Sequence, residues 1–430
     1  MRGQRTLVVV LLLGMVSVQP GATQEQGSPG TLTVEALVMQ ALAANPDLSA
    51  ARAEVEAARG RLLQAGLRPN PMLDVSAQQN VTGPDNNLTV GVTLPLDLNG
   101  RKAGRVGIAE RELAMKEAQV TNRARELGAE VRLKAGEVLA AQRNLRITEE
   151  LLTVNRQALE LSAARVRRGA IPPLEEHLER VEVNRLEASR EILASRVEVF
   201  LLQLKVLSGF APEAPLVLKG ELAAPVVTRT REGALKEALS GRPDLLASRA
   251  EVAMAQAKVQ KEQAEGRWDA SVIVGYMRQN FGFDLNGLTE RGETRPITDI
   301  FHYVGGGVTV MLPMRNRNQG NVAAALAETQ AAERREALAV LSVRQEVQAA
   351  FTQYEAAMRA LEIYGHGVRD LARQNLEVIR KANALGRTSL LEVIAEQQRN
   401  IDIEMGYTEA LQHAYNAVVD MERAVGTASR

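Results

Sequence analysis

The sequence contains no cysteine. That excludes disulfides, thiolate metal sites, a cysteine nucleophile and a lipid-modified N-terminal cysteine. Aromatic residues make up only 3% of the 430, while alanine is abundant. A conventional large core needs more aromatic bulk, so long helices packed closely through small side chains fit this balance better. Charged residues make up 24% and cancel, which leaves no electrostatic footprint for nucleic acid. A nucleophile constellation, a metal cluster and a phosphate loop are all missing, so neither an enzyme nor a cofactor is expected. The four histidines, His177, His302, His366 and His413, are scattered without ligand spacing.

No apolar run is long enough for a membrane-spanning helix. The longest, Leu7 to Met15, follows Arg2 and Arg5, so residues 1–23 read as a secretory signal. Its removal takes two arginines and no acid, leaving a net charge of −2.

What the chain does contain is itself twice. Ala41 to Ala58, ALAANPDLSAARAEVEAA, returns as Ala238 to Ala255, ALSGRPDLLASRAEVAMA, with 11 of 18 positions identical. The offset of 197 residues is far beyond a solenoid period and marks duplication of a domain-sized unit. Each copy reads as a helix start, with proline where its missing N–H costs nothing and aspartate at the positive dipole end.

The two units follow one programme. A short helix and a second helix to about Arg68 end at Pro69 and Pro71. The period then changes to two: Leu73, Val75 and Ala77 alternate with Asp74, Ser76 and Gln78, and Leu88, Val90, Val92, Leu94 and Leu96 share one face. This is a strand hairpin within residues 72–97. Lys102 to Arg167 has no proline and reads as one helix of roughly 100 Å at about 1.5 Å per residue. Gly169, Pro172 and Pro173 break it, and the chain returns to about Ser208. The second unit predicts strands over Ser271–Phe281 and Phe301–Met314, within residues 270–314, joined by a long polar loop from Asn286 to Thr298. A second long helix is expected from Val322 to Ala384, broken at Gly386, with a return from Leu390 to Val425. The domain reading is a first repeat over 24–208, a connection over 209–230 and a second repeat over 231–427.

The fold class is thus mainly α with a membrane β-barrel portion: an internally duplicated chain of long antiparallel helices with four strands. Four strands alone would leave two edges unpaired in lipid, at several kcal/mol per exposed backbone group. Several chains must share one barrel. Three copies give 12 strands, with the helices continuing the wall as an α-barrel.

The strand-hairpin-helix order, the start Asn45-Pro46-Asp47-Leu48 and the tip Gly386-Arg387-Thr388-Ser389-Leu390-Leu391-Glu392-Val393 resemble the TolC family of outer-membrane efflux proteins, from about Leu32 to Val425. The segment Leu312 to Gly320, LPMRNRNQG, resembles the heavy-metal (CzcC-like) branch. The resemblance implies a homotrimer in outer-membrane lipid with its helical barrel in the periplasm. It also implies a periplasmic adaptor (a membrane fusion protein) and an inner-membrane pump of RND type, with no catalysis of its own. The expected cargo is heavy-metal cations or small toxic compounds. Polypeptide secretion through the same duct, or a periplasmic adaptor or coiled-coil scaffold, are the alternatives.

The resemblance places the periplasmic gate at the tips. Glu392 matches a family carboxylate position and Glu175 is its partner in the first repeat; the family's next acid, three residues on, is Ala395 here. The family latch of tyrosine and arginine falls on Asn383 and Thr388, leaving Arg387 and Arg168 as substitutes. Gly169 and Gly386 should make the tight turns, and Leu174 and Leu391 should pack them or meet the adaptor. Phe281, Phe283, Phe301 and Tyr303 are expected in an interfacial aromatic belt.

Overall fold

The computed structural model describes residues 31–83 and 85–426; the signal expected over 1–23 lies outside them. A parallel pair, β1 (Thr31–Leu32) with β4 (Val217–Leu218), ties the start of the chain to the connection between units. The first unit runs α1 (Val34–Ala44), α2 (Pro46–Gly66), β2 (Met72–Gln79), β3 (Asn86–Pro95), α3 (Arg101–Arg167) and α4 (Pro173–Leu207). The second runs α5 (Arg231–Gly241), α6 (Pro243–Glu265), β5 (Asp269–Leu288), β6 (Thr294–Met311), α7 (Gln319–Glu362), α8 (Asp370–Ala384) and α9 (Leu390–Val425). A π-helical segment, Ile363–Arg369, sits between α7 and α8.

Two expectations are corrected. The second long helix is not one α-helix, because its hydrogen bonding widens to the i→i+5 pattern over Ile363–Arg369. The expected loop Asn286–Thr298 is mostly strand. β5 and β6 pair almost to the turn, through a register shift between Phe283 and Asn286, and Thr289–Glu293 closes it. Polar side chains gave no apolar alternation there, but the backbone ladder needs none.

The four long strands form one antiparallel sheet in the order β2-β3-β5-β6. Register assigns its faces. The row Val75, Val90, Tyr276, Val304 is apolar, whereas the neighbouring row Asp74, Gly91, Gly275, Gly305 is small and polar. Successive residues point to opposite faces, so one face is apolar through this part of the sheet, while the other mixes small and polar residues with Ile273 and Met277. Phe281, Phe283, Phe301 and Tyr303 share the second face, since Tyr303 pairs with Met277 and Phe301 with Gln279. They do not extend the apolar face, and the expected belt is corrected.

Each unit buries its own core where its short helices meet its long ones. Leu37, Leu48, Leu127, Val131, Val138 and Leu204 form the first, and Ala234, Leu245, Val343, Val347, Phe351 and Met421 the second. The helical wall between sheet and cores runs α2–α3–α6–α7; beyond them it runs α4–α3–α9–α7 and α8. At both levels the chain ends in unpartnered edge helices, as the sheet ends in the unpaired edges β2 and β6.

Candidate periplasmic tip and channel wall

The two tips are built alike from the backbone up. Gly169 has φ +67° and Gly386 has φ +72°. Gly169 N–H donates to Val166 O (2.9 Å) and Ala170 N–H to Arg165 O (2.9 Å); Gly386 N–H donates to Asn383 O (2.8 Å) and Arg387 N–H to Ala382 O (2.9 Å). Both are Schellman caps, in which a left-handed residue lets the chain turn back and satisfies two orphaned carbonyls. A Cβ at either glycine would meet nothing within 4 Å, so glycine is needed for its dihedral and not for space.

The returning helices begin differently. Pro173 occupies the first turn of α4. In α9, Ser389 Oγ accepts from Glu392 N–H at 3.3 Å and contacts Glu392 Oε1 at 3.0 Å, a version of the capping box. Glu392 therefore helps to cap its own helix, while remaining exposed. Asn383 and Thr388 also have local partners. Asn383 Nδ2 donates to Thr388 O (2.8 Å), and Thr388 Oγ1 donates to Ile379 O (3.4 Å). The positions that carry the latch in the resemblance thus brace this tip from within. Arg168 and Arg387 are exposed and form no ion pair among the described residues. Leu174 and Leu391 both point into solvent.

One turn above Glu175 and Glu392 stand Glu179 and Glu396, which the reading of the sequence missed by looking three residues on instead of four. The signal was present, because both repeats carry Glu-x-x-x-Glu at the start of the returning helix. Glu396 is buried beside Arg399 at 2.8 Å. Glu179 Oε2 is buried without a hydrogen-bond partner. Burial pushes the Glu179 carboxyl above its ordinary value; Glu175 adds to the shift, and Ser162 and Arg165 oppose it. Glu182 is also buried, gripped by Arg185 (2.6 Å) and by Gln398 from α9 (3.3 Å).

Higher on the wall, Glu404 of α9 is buried and takes Arg143 of α3 (3.4 Å), Arg369 of the π-helical segment (2.8 Å) and Arg373 of α8 (2.7 Å). Arg143 and Arg369 also lie over the Tyr407 ring, at 5.3 and 4.6 Å from its centre. This node binds the two repeats together. At the strand-to-helix corner, Arg101 reaches Asp269 and Glu265 (3.3 Å), and Asp269 Oδ1 accepts from Leu98 N–H (3.0 Å). At the corner after β6, Asn318 Nδ2 donates to Glu262 O (2.9 Å). Among the described residues no three histidine or carboxylate side chains converge as a metal site.

A sheet with one apolar face, two open edges and helices far longer than a globular core requires is one sector of a membrane-crossing barrel that continues as a helical duct. That places the chain among the outer-membrane channels with a periplasmic helical barrel. The family model "Outer membrane efflux protein" matches residues 37–207 and 234–427, and the chain belongs to that family, whose members are trimeric exit channels working with an adaptor and an inner-membrane pump. The cobalt-zinc-cadmium resistance protein CzcC of Cupriavidus metallidurans is 24% identical over 397 residues, 92% of this chain and 90% of that one. Among solved structures, the outer-membrane channel OprN superposes with a TM-score of 0.72 at 20% identity, covering 91% of this chain and 89% of that chain. CusC, a transmembrane channel, gives 0.72 at 16% identity over 91% and 92%.

Proposed function

We propose that the duct carries heavy-metal cations out of the periplasm, fed by an RND-type pump. The reading is supported by the similarity to CzcC along nearly the whole chain. The test is growth of a deletion strain on zinc, cobalt, cadmium, copper and silver salts, with dyes and antibiotics beside them. Sensitivity confined to metals and restored by the wild-type gene is expected; sensitivity to organic compounds alone overturns the cargo and leaves the channel.

Within the duct, the narrowest point is the ring of tips. Three chains bring Glu175, Glu179, Glu392 and Glu396 together in two tiers, where like charges repel and concentrate cations. Arg168 and Arg387, unpaired within one chain, are left to pair with acids of a neighbouring chain. Gly169 and Gly386 hold the turns, and Leu174 and Leu391 are the apolar knobs offered to the adaptor. The repeats over 24–208 and 231–427, joined by 209–230, are the units that bring six such tips to one ring. Single-channel conductance of the purified trimer tests the gate: Glu396→Gln with Glu179→Gln should lower cation selectivity, and unchanged selectivity rejects the tiers.

A further inference from the structure

The four strands all leave the sheet toward the helices at the same level, and each leaves beside a cation that has no acidic partner. Arg68 precedes β2, Lys102 follows β3, Arg267 precedes β5, and Arg315 and Arg317 follow β6. None of the five forms an ion pair among the described residues. Several cations of the adjoining helices are matched instead: Arg61 with Glu112, Arg105 with Asp97, Lys258 with Glu328 and Lys261 with Glu262. The opposite ends of the strands carry the acids Asp85, Glu290 and Glu293 alongside Arg291 and Arg295.

An apolar collar accompanies it. Asp269 pairs with Met311 on the second face, so the adjacent Trp268 and Leu312 continue the phase of the apolar face, as Leu96 does after Leu94. All three are exposed, and Trp268, the only tryptophan, is 53% accessible. Below this level a cavity of about 640 Å³ opens between α2, α3 and α6, lined by Leu67, the unpaired Arg68, and Arg61, Arg105, Lys258 and Lys261 with Glu262 among them; these last four cations hold acidic partners. Tryptophan and apolar side chains at a strand end, rimmed by cations, match the chemistry of a bilayer's headgroup layer.

The geometry points to a seat for anionic phospholipid headgroups of the periplasmic leaflet, held by Arg68, Arg267, Arg315 and Arg317 around the Trp268 collar. It rests on the outer-membrane reading of the sheet. Three chains would set a closed ring of such seats where barrel becomes helix, anchoring the duct at a fixed depth and drawing acidic lipid around it.

The test uses the full-length trimer reconstituted in phosphatidylethanolamine vesicles with and without phosphatidylglycerol, and reads the lipid retained on the protein by native mass spectrometry. Phosphatidylglycerol several-fold enriched over the bulk is expected on the wild type. The enrichment should fall to bulk in R68Q/R267Q/R315Q/R317Q and persist in R196Q/R344Q, which removes charge from the helical wall. It should also collapse for the wild type in high salt, since exposed headgroup contacts are screened; this reading remains if the fourfold variant fails to assemble. Retained lipid of bulk composition, or enrichment that survives both the variant and salt, overturns the inference. So does a variant that alters ion selectivity but not lipid retention, because the cations would then line the duct. Insertion of the wild type into both vesicle types with bulk lipid retained would reject the seat alone; failure to insert would reject the membrane reading itself.

Discussion

The first and second repeats solve the same problem with the same positions and different chemistry. Each must tie the start of its second helix to the end of its returning helix. In the first, Asn45 accepts from Asp47 N–H and Leu48 N–H and donates to Leu207 O at 2.9 Å. In the second, Arg242 stands in its place and donates to Ala424 O (3.0 Å), Asp244 (2.6 Å) and Glu346 (2.6 Å). A neutral cap suffices in one; a buried ion network does the work in the other. Burial lowers the Arg242 affinity for its proton, but the bonds it donates to Asp244 and Glu346 outweigh this and raise the value overall.

The long helices differ in the same sense. Arg373 and Glu404 occupy, relative to Gly386, the places that Arg156 and Glu187 occupy relative to Gly169. Arg156–Glu187 is a surface pair at 2.7 Å, with side chains 56% and 44% accessible. Glu404 is 6% accessible and holds two further arginines, one of them from the other repeat. Duplication supplied the pair, and burial between repeats turned it into a joint. The π-helical segment falls at that joint and nowhere else among the described residues.

The contrast can be broken most severely at Glu404. Glu404→Ala leaves the largely buried Arg143 and Arg369 without their shared carboxylate, beside the more exposed Arg373, and should cost about 3 kcal/mol. Glu187→Ala should cost at most about 1 kcal/mol, as exposed pairs do. Denaturant unfolding of the two variants measures the gap, and equal losses would mean that the joint carries no special load. Next come the tips: Gly169→Ala and Gly386→Ala should each lose about 1–2 kcal/mol from left-handed strain alone. Their losses should match, because the caps do. A large difference in thermal stability would show that a neighbour constrains one tip. Smaller still, Ser389→Ala should cost about 1 kcal/mol through its cap, with no counterpart in the first repeat, where Pro172 stands.

The smallest effect is one of pH. Because the Glu179 carboxyl binds its proton more readily in the folded chain than its ordinary value of 4.5 implies, the native state favours the protonated form. Stability contributed by this residue is therefore present at low pH and lost as pH rises from that ordinary value through the raised one. Glu179→Gln should flatten this part of the stability profile. A profile unchanged in Glu179→Gln would mean that the tip is already open to water there.

The architecture was legible in the residues because it rests on period and punctuation. Alternation through Leu88 to Leu96 makes a strand wherever it occurs, and the glycines at 169 and 386 make turns that no other residue adopts without strain. The far half of the β5–β6 hairpin was not legible, since Asn286 to Thr298 carries no alternation and is held by its partner's backbone alone. Glu179 and Glu396 were visible as a repeated spacing and were overlooked. The side of the sheet taken by Phe281 and Tyr303 needed the register, for a slip of one residue reverses every side chain.

By itself, then, the sequence determined two repeats, four strands, long helices and two glycine-capped tips, because each of these is decided within a few residues of chain. Only the tertiary structure decided which charges are buried, which pair becomes the joint at Glu404, and which cations at the strand ends go unmatched. Those outcomes depend on residues far apart in sequence meeting across a helical wall, where dielectric and partner are set by packing and not by the local pattern.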